Sequence, residues 1–211
     1  MEGTVTRHLP AGWQGAYCQP VMTWSAESTD EALMLLYRDG EAGAFDALYA
    51  RHKGGLYRYL LRQCRDAAAA EELFQDVWMN LIRARAGYSV QAKFTTYLYR
   101  LAHNRLIDHY RKNSRATVSS FEEEGGEGVA ELPDERERPQ GETLDAKRQA
   151  GRLMELIAGL PEAQREAFLL QQEGGMSVEE IAQATGVTRE TAKSRLRYAM
   201  VKLRQGMLGW R

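Results

Sequence analysis

Seven residues near the end of the chain have the side chains that DNA contacts require. Guanidinium, ammonium, hydroxyl and phenol groups can bond to base edges or to phosphates, and they cluster within residues 189–198. The seven candidates are Arg189, Thr191, Lys193, Ser194, Arg195, Arg197 and Tyr198. Residues 189–211 hold seven basic side chains against the single acid Glu190. This excess favours a nucleic-acid interface, although a solvated helix face is the simpler alternative.

A helix-turn-helix pattern would position these side chains. Ser177 and Glu180 have the spacing of a capping box at the start of one helix. Gly186 falls in the turn, and Thr188 is placed to cap the next helix. The inner sides of both helices would be formed by Val178, Ile181, Ala182, Val187, Ala192, Leu196, Ala199 or Met200, and Leu203. The second helix would then fit the major groove, unless the pair is only a surface helical hairpin.

A second group of candidates lies within residues 93–112. Once duplex DNA is open, bases can stack on aromatic rings and bond to an amide, while phosphates pair with cations. The rings are Phe94, Tyr97, Tyr99 and Tyr110, the amide is Asn104, and the cations are Lys93, Arg100, Arg105, Arg111 and Lys112. Phe94 and Leu98 are expected in the core instead. Residues 83–115 hold eight basic side chains against Asp108 alone, which favours contact with nucleic acid.

Enzyme chemistry finds little support in the sequence. His103, Asp108 and His109 are near one another, but spacings of five and one do not stack side chains on one helix face. We see no glycine-rich phosphate loop, nucleophile elbow or zinc-type spacing. Cys18 and Cys64 are too few for a disulfide framework and are expected to be plain thiols. We therefore expect no enzyme activity, no catalytic residue, no metal and no cofactor.

Apolar residues at helical spacing, without strand-like alternation, predict an all-α fold of two small domains. We assign residues 29–113 to the first domain and 143–207 to the second. Residues 114–142 form an acidic linker, since residues 116–145 hold ten acidic and two basic side chains. As a flexible coil, such a linker spans roughly 30 Å on average and about 100 Å fully extended. It can hold the two domains close together or far apart.

The N-terminal residues 1–28 are expected to be a poorly ordered extension. They lack the basic start and apolar run of a secretory signal, and the chain has no apolar stretch long enough for a membrane span. We therefore expect a cytoplasmic protein without membrane insertion. A start at Met22 instead of Met1 is a further hypothesis.

Two windows of sequence together resemble a known family. They are "DAAAAEELFQDVWMNLIRA…FTTYLYRLAHNRLIDHYRK" before the linker and "LPEAQREAFLLQQEGGMSVEEIAQATGVTRETAKSRLRYAMVKLR" after it. The pair resembles bacterial RNA polymerase sigma factors of the sigma-70 family, extracytoplasmic function (ECF) subfamily, over residues 29–207. The resemblance implies a sigma region 2 domain that binds core polymerase and melts the −10 element, and a sigma region 4 domain that recognises the −35 element. It also implies three partners: RNA polymerase core through its clamp and flap regions, promoter DNA, and an anti-sigma factor.

The resemblance also implies roles for particular residues. Residues 70–84 resemble the clamp-binding helix, which assigns core-polymerase binding to Glu71, Glu72, Gln75 and Asp76. The −10 contacts fall on Lys93, Tyr97, Arg100, Asn104, Arg105, Arg111 and Lys112, with Asn104 at a pocket for a flipped-out base. The −35 face carries Lys193, Ser194, Arg197 and Tyr198. The family usually has Trp at the position of Tyr97, which bears on base stacking at the −10 element. It usually has Val at the position of Ala192 and Arg at that of Tyr198, so the −35 sequence preferred by other members cannot be assigned to this chain.

The linker gains a mechanical role from this resemblance. Promoter elements roughly 20 base pairs apart are separated by about 65 Å, more than the average span of the linker. The polymerase would therefore hold the domains apart, with the acidic segment in the RNA exit path. The acid could also mask basic DNA-binding faces or simply keep a tether soluble. The alternative function is a conventional helix-turn-helix repressor or activator that binds duplex operator without core polymerase.

Overall fold

The computed structural model describes residues 28–119 and 144–208. These residues form eight α-helices and no strand, which confirms the all-α prediction. The helices are α1 (Asp30–Arg38), α2 (Ala42–Cys64), α3 (Ala67–Ala84), α4 (Phe94–Ser119), α5 (Leu144–Ala158), α6 (Glu162–Gly174), α7 (Val178–Thr185) and α8 (Arg189–Leu208). A short 3₁₀ helix, Arg85–Gly87, follows α3. Across these two ranges, none of the helices has the length and apolarity that a membrane crossing demands.

Helices α1 to α4 surround one apolar core. Its fully buried side chains include Leu33, Leu48, Leu56, Leu60, Val77, Leu81, Phe94 and Leu98. An aromatic group joins α2 to α3, with the ring of Trp78 5.0 Å from Tyr49 and 5.7 Å, edge on, from Phe45. Large apolar and aromatic side chains supply most of the burial energy of a small helical domain. This core fixes the outward faces of α3 and α4.

Helices α5 to α8 form the second domain, and their apolar residues continue the buried cluster of the first domain. Leu169, Leu170, Ile181, Ala199 and Leu203 are buried between α6, α7 and α8. Helix α5 packs along α8, where a Cβ at Gly206 would come 2.4 Å from a methyl carbon of Leu156. The missing side chain at Gly206 therefore lets α5 lie close to α8.

Local sequence sets the helix ends. The Thr29 hydroxyl accepts a hydrogen bond from the Ala32 amide at 3.3 Å, and the Asp66 carboxylate accepts one from the Ala68 amide at 2.9 Å. Both satisfy amides that a helix start leaves free. Helix α4 continues to Ser119, beyond the predicted linker start at residue 114, because no Gly or Pro interrupts the chain there. Residues 1–27, 120–143 and 209–211, with the Met22 hypothesis and most of the linker, lie outside the described residues.

The two domains are in direct contact. Helices α6 and α7 of the second domain lie against α2 and α4 of the first. The sequence did not predict whether the domains touch, because a long linker permits them to lie close together or far apart. The contact is made by polar side chains more than 100 residues apart, such as Tyr59 and Glu166.

One residue at the end of α2 has an unfavourable backbone. Arg65 is in the left-handed region, with φ 61° and ψ 15°, and its amide bonds to the carbonyl of Leu61 to close the helix. Glycine is the usual residue at such a helix end because a Cβ is strained there.

We predict that Arg65→Gly raises the free energy of unfolding by about 1 kcal/mol, since it removes this strain. The measurement is the urea unfolding midpoint of the full chain. Arg65→Ala is the control, because it removes the same side chain and keeps the strained Cβ. Equal midpoints for the Gly and Ala variants would contradict the backbone explanation.

Candidate nucleic-acid interface

The predicted helix-turn-helix is present in α7 and α8. The Ser177 hydroxyl accepts from the Glu180 amide at 3.3 Å, and the Glu180 carboxylate accepts from the Ser177 amide at 2.8 Å. This confirms the capping box. Gly186 closes α7 at φ 67°, and the Thr188 hydroxyl accepts from the Thr191 amide at 3.2 Å at the start of α8. The turn therefore fixes where the first residues of α8 emerge.

The seven candidates on α8 share its outer side. Arg189, Lys193, Arg197 and Tyr198 are exposed, and Thr191, Ser194 and Arg195 are partly buried. The inner side is formed by Ala192, Leu196, Ala199 and Leu203, and Met200 points outward at 40 % exposure. The guanidinium of Arg197 lies over the Tyr198 ring, 5.0 Å from its centroid. This cation–π contact presents a planar donor and a phenol side by side.

The candidates on α4 form a second exposed face. Lys93, just before the helix, and Arg100, Asn104, Arg111 and Lys112 are exposed, and Tyr97 and Arg105 are partly buried. Positions 93, 97, 100 and 104 recur every three or four residues, so they lie along one side of the helix. The Tyr97 ring packs on Tyr88 at 5.3 Å. Cations, a ring and an amide therefore line one surface, which is the chemistry that unpaired DNA requires.

Asn104 lines a groove between α3 and α4. The groove is lined by Asn80, Arg83, Ala84, Leu101, Asn104, Arg105 and Asp108. The guanidinium of Arg105 donates to the Asn80 side chain at 3.0 Å, which holds Arg105 beside Asn104. Sequence reasoning missed Asn80 and Arg83. Asn80 and Arg83 are three residues apart on α3 and so lie on one side of the helix, beside the buried Leu81; this spacing is the signal that could have identified them.

Two rings that the sequence offered for base stacking are engaged inside the protein. Tyr99 is only 2 % exposed and its ring meets Tyr59 edge on at 5.2 Å, so the expectation that it is available to bases is wrong. The Tyr110 hydroxyl donates to the Gln63 carbonyl at 3.1 Å, and burial raises the pKa of Tyr110 to about 12. Phe94 and Leu98 lie in the core as expected. The spacing of the sequence alone did not show that Tyr99 and Tyr110 are engaged inside the protein while Tyr97 lies on the exposed face.

Helix α3 exposes a separate acidic face. Glu71, Glu72, Gln75 and Asp76 all point to solvent, while Leu73, Val77 and Leu81 on the opposite side are buried. Spacings of one, four and five residues place the four polar side chains together on the helix. The face suits a basic partner surface.

His103 and Cys64, two of the residues considered for metal or redox chemistry, are partly buried in the fold. His103 Nδ1 lies 2.7 Å from the Glu166 carboxylate, and residues 28–112 and 146–208 contain no group of three or more His, Cys, Asp or Glu arranged to hold a metal. Cys64 is half-buried, and burial raises the pKa of its thiol to about 11, which keeps it protonated. Cys18 lies outside the described residues.

Two family models match the chain, one in each domain. Residues 48–116 match sigma-70 region 2, and residues 150–203 match sigma-70 region 4. The ECF RNA polymerase sigma factor RpoE of Cereibacter sphaeroides is 32 % identical over 189 residues, covering 88 % of this chain and 99 % of that protein. The RNA polymerase sigma factor CarQ of Myxococcus xanthus is 29 % identical over 170 residues, covering 80 % and 92 %.

Solved structures share the fold. CnrH in complex with the cytosolic domain of CnrY aligns with a TM-score of 0.62 at 20 % identity, over 87 % of this chain and all of that one. RpoE in complex with the anti-sigma factor NepR from Bartonella quintana aligns with a TM-score of 0.62 at 22 % identity, over 79 % and 98 %.

Both matched regions are parts of sigma-70 proteins, which defines the class of the chain as a transcription initiation factor. Within that class, the chain belongs to the ECF RNA polymerase sigma factors. It binds core polymerase and directs promoter-specific initiation. The family is one of regulatory proteins that are not enzymes.

Proposed function

We propose that three faces of this sigma factor have different binding roles in transcription initiation. The acidic face of α3, with Glu71, Glu72, Gln75 and Asp76, contacts the clamp of core polymerase. The α4 face binds the −10 element and helps to open it, and the outer side of α8 binds the −35 element. The observation that supports this most is the α4 face, where Tyr97, Arg100 and Asn104 line one exposed side beside a groove. Duplex binding alone would not require an aromatic ring and an amide at that place.

We also propose residues 29–113 as the region 2 domain and 143–207 as the region 4 domain. Residues 114–142, of which the first six continue α4, are proposed as the connection through the RNA exit path. Region 4 would contact the polymerase flap. The solved structures of CnrH and of the Bartonella RpoE contain a CnrY domain and an anti-sigma factor respectively. By analogy, an anti-sigma factor is the proposed regulator of this chain. The chain would act in the cytoplasm beside the polymerase, with no catalytic activity of its own.

Reconstituted transcription tests this assignment. Purified full-length protein added to sigma-free bacterial core polymerase and a library of promoters is expected to yield specific transcripts that depend on both −10 and −35 sequences. Binding to core is measured in parallel by gel filtration. No association with core, together with tight binding to duplex operator by the chain alone, would instead establish the conventional repressor or activator.

We predict that Asn104→Ala slows promoter opening about tenfold and leaves closed-complex formation unchanged. Loss of a base contact costs about 1–3 kcal/mol, and 1.4 kcal/mol corresponds to a factor of ten. Opening is measured by permanganate reactivity of unpaired thymines, and the closed complex by footprinting at low temperature. A template with a preformed bubble at the −10 element should restore initiation. Equal loss at both steps, or no rescue by the bubble, would remove Asn104 from base capture.

Arg197→Ala should reduce initiation about tenfold on promoters that depend on the −35 element, because it removes a base or phosphate contact. Arg204→Ala is the matched control, since Arg204 is an exposed arginine on the same side of α8 but two turns beyond Arg197, after the last proposed contact residue. Transcript yield is compared on one promoter with its −35 element intact and scrambled. If Arg197→Ala and Arg204→Ala behave alike on the intact promoter, Arg197 does not contact the −35 element.

A further inference from the structure

The side chains on the outer side of α8 fall into an uncharged row with cations on both flanks. The uncharged residues recur every three or four positions, so they lie along one side of the helix; they are Thr191, Ser194 and Tyr198. The cations on one flank recur every four positions and are Arg189, Lys193 and Arg197. Arg195 lies on the other flank, because it follows Thr191 by four residues and precedes Tyr198 by three.

This order of side chains matches the order of groups across a major groove. The phosphates of the two strands border the groove, and the edges of the base pairs form its floor. Cations on both flanks of a helix can reach the two backbones, while the row between them faces the bases. Thr191 and Tyr198 are seven residues apart, which is about 10 Å along a helix and about three base-pair steps of duplex DNA. The uncharged row is therefore placed to contact base edges.

Tyr198 is the large side chain of the uncharged row. It is 50 % exposed, so most of its ring is available to a ligand. Among the groups that base pairs present in the major groove, the 5-methyl group of thymine is the large apolar one. A phenol ring can cover that methyl group, whereas it lacks the paired donors that bind guanine. The chemistry of Tyr198 therefore favours thymine over guanine.

The neighbouring Arg197 holds the Tyr198 ring. Its guanidinium lies 5.0 Å from the ring centroid and donates to the Tyr198 hydroxyl at 3.4 Å. A ring that is held in this way loses less conformational freedom when it meets a base. The guanidinium has five donors, so it can contact a phosphate while it remains over the ring.

We propose that Tyr198 determines the base preference of this sigma factor at one position of the −35 element, through contact of its ring with the 5-methyl group of a thymine. Arg197 is the positioning residue for that ring. The proposal rests on the assignment of α8 to the −35 element above and deepens it, because it names an A·T base pair as the feature that one side chain selects.

Replacement of single −35 thymines by deoxyuridine tests the contact, because it removes one methyl group and keeps the base pair. The promoter is selected from a library with a randomised −35 element, by initiation with core polymerase and the full-length protein. We expect one thymine, on either strand, at which uracil lowers closed-complex affinity about fourfold, as for loss of one buried CH₂ group. In Tyr198→Ala the uracil should cause no further loss. In Tyr198→Phe, which keeps the ring, the fourfold effect should remain.

A gain of guanine preference is the second test. Tyr198→Arg supplies the paired donors that bind guanine, so the same selection should replace that thymine by guanine with about tenfold preference. Met200→Ala is the matched control, since Met200 is another large exposed side chain, at 40 % exposure, but lies two residues later on a different side of α8. It should leave the base preference of the native chain unchanged, and thermal melting by circular dichroism checks that each variant is folded.

Arg197→Lys tests the positioning role. Lysine keeps the positive charge but lacks the planar group that stacks on a ring. The salt dependence of closed-complex formation should therefore stay the same, while the effect of uracil becomes smaller. A uracil effect as large as that of the native chain would remove Arg197 from the positioning role.

The possible failures of this proposal are distinguishable from failure of the −35 assignment. A selected −35 element without an A·T pair, or one in which uracil has no effect at any thymine, would overturn the role of Tyr198 while the −35 assignment stands. The same base preference in the native chain, Tyr198→Ala and Tyr198→Arg would do so too. Initiation that is indifferent to the whole −35 sequence would reject the assignment of α8 and this proposal with it.

Discussion

A buried carboxylate lies at the centre of the contact between the two domains. Glu166 meets a hydroxyl from α2 and an imidazole from α4, so one acidic side chain ties its own helix to two helices of the other domain. A group of this kind is tolerated at an interface only when its partners are in place. Correct docking is therefore favoured over a loose apolar contact, and Glu166 sets the register of α6 on α2 together with Arg165 and Glu173 of the same helix.

Acidic side chains have two opposite uses in this chain. On α3 they form an exposed face proposed to bind polymerase, whereas on α6 and α7 they pair with basic residues of the first domain or of α8. Exposed pairs such as Lys93 with Glu180 contribute little stability each. They lie over cations proposed to bind DNA, so their effect is on availability for binding. The buried groups around Glu166 supply the specificity of docking, and the Lys93–Glu180 pair, which joins the two domains, couples that docking to the −10 face. The Arg189–Glu179 pair lies within the second domain.

Local features were predictable from the sequence, and long-range ones were not. The capping box at Ser177, the left-handed Gly186 and the outer side of α8 follow from short spacings, and each is present. The burial of Tyr99 depends on Tyr59, forty residues earlier in the chain, and on Gly174 of the other domain. The sequence offered Tyr99 and Tyr97 alike as rings for base stacking, but Tyr97 remains partly exposed. The resemblance to sigma factors supplied roles for residues, but nothing in it placed α6 against α2.

The two domains are docked on each other in the structure, whereas reading both promoter elements places them about 65 Å apart. Spin labels at the exposed positions Asp46 and Lys202, in a chain with Cys18 and Cys64 replaced by Ser, measure that separation directly. We predict a single narrow distribution of distances in the free protein and an increase of tens of ångströms in the complex with core polymerase and promoter DNA, since the two elements are about 65 Å apart. The same distance in both states would show that the domains do not separate on the promoter.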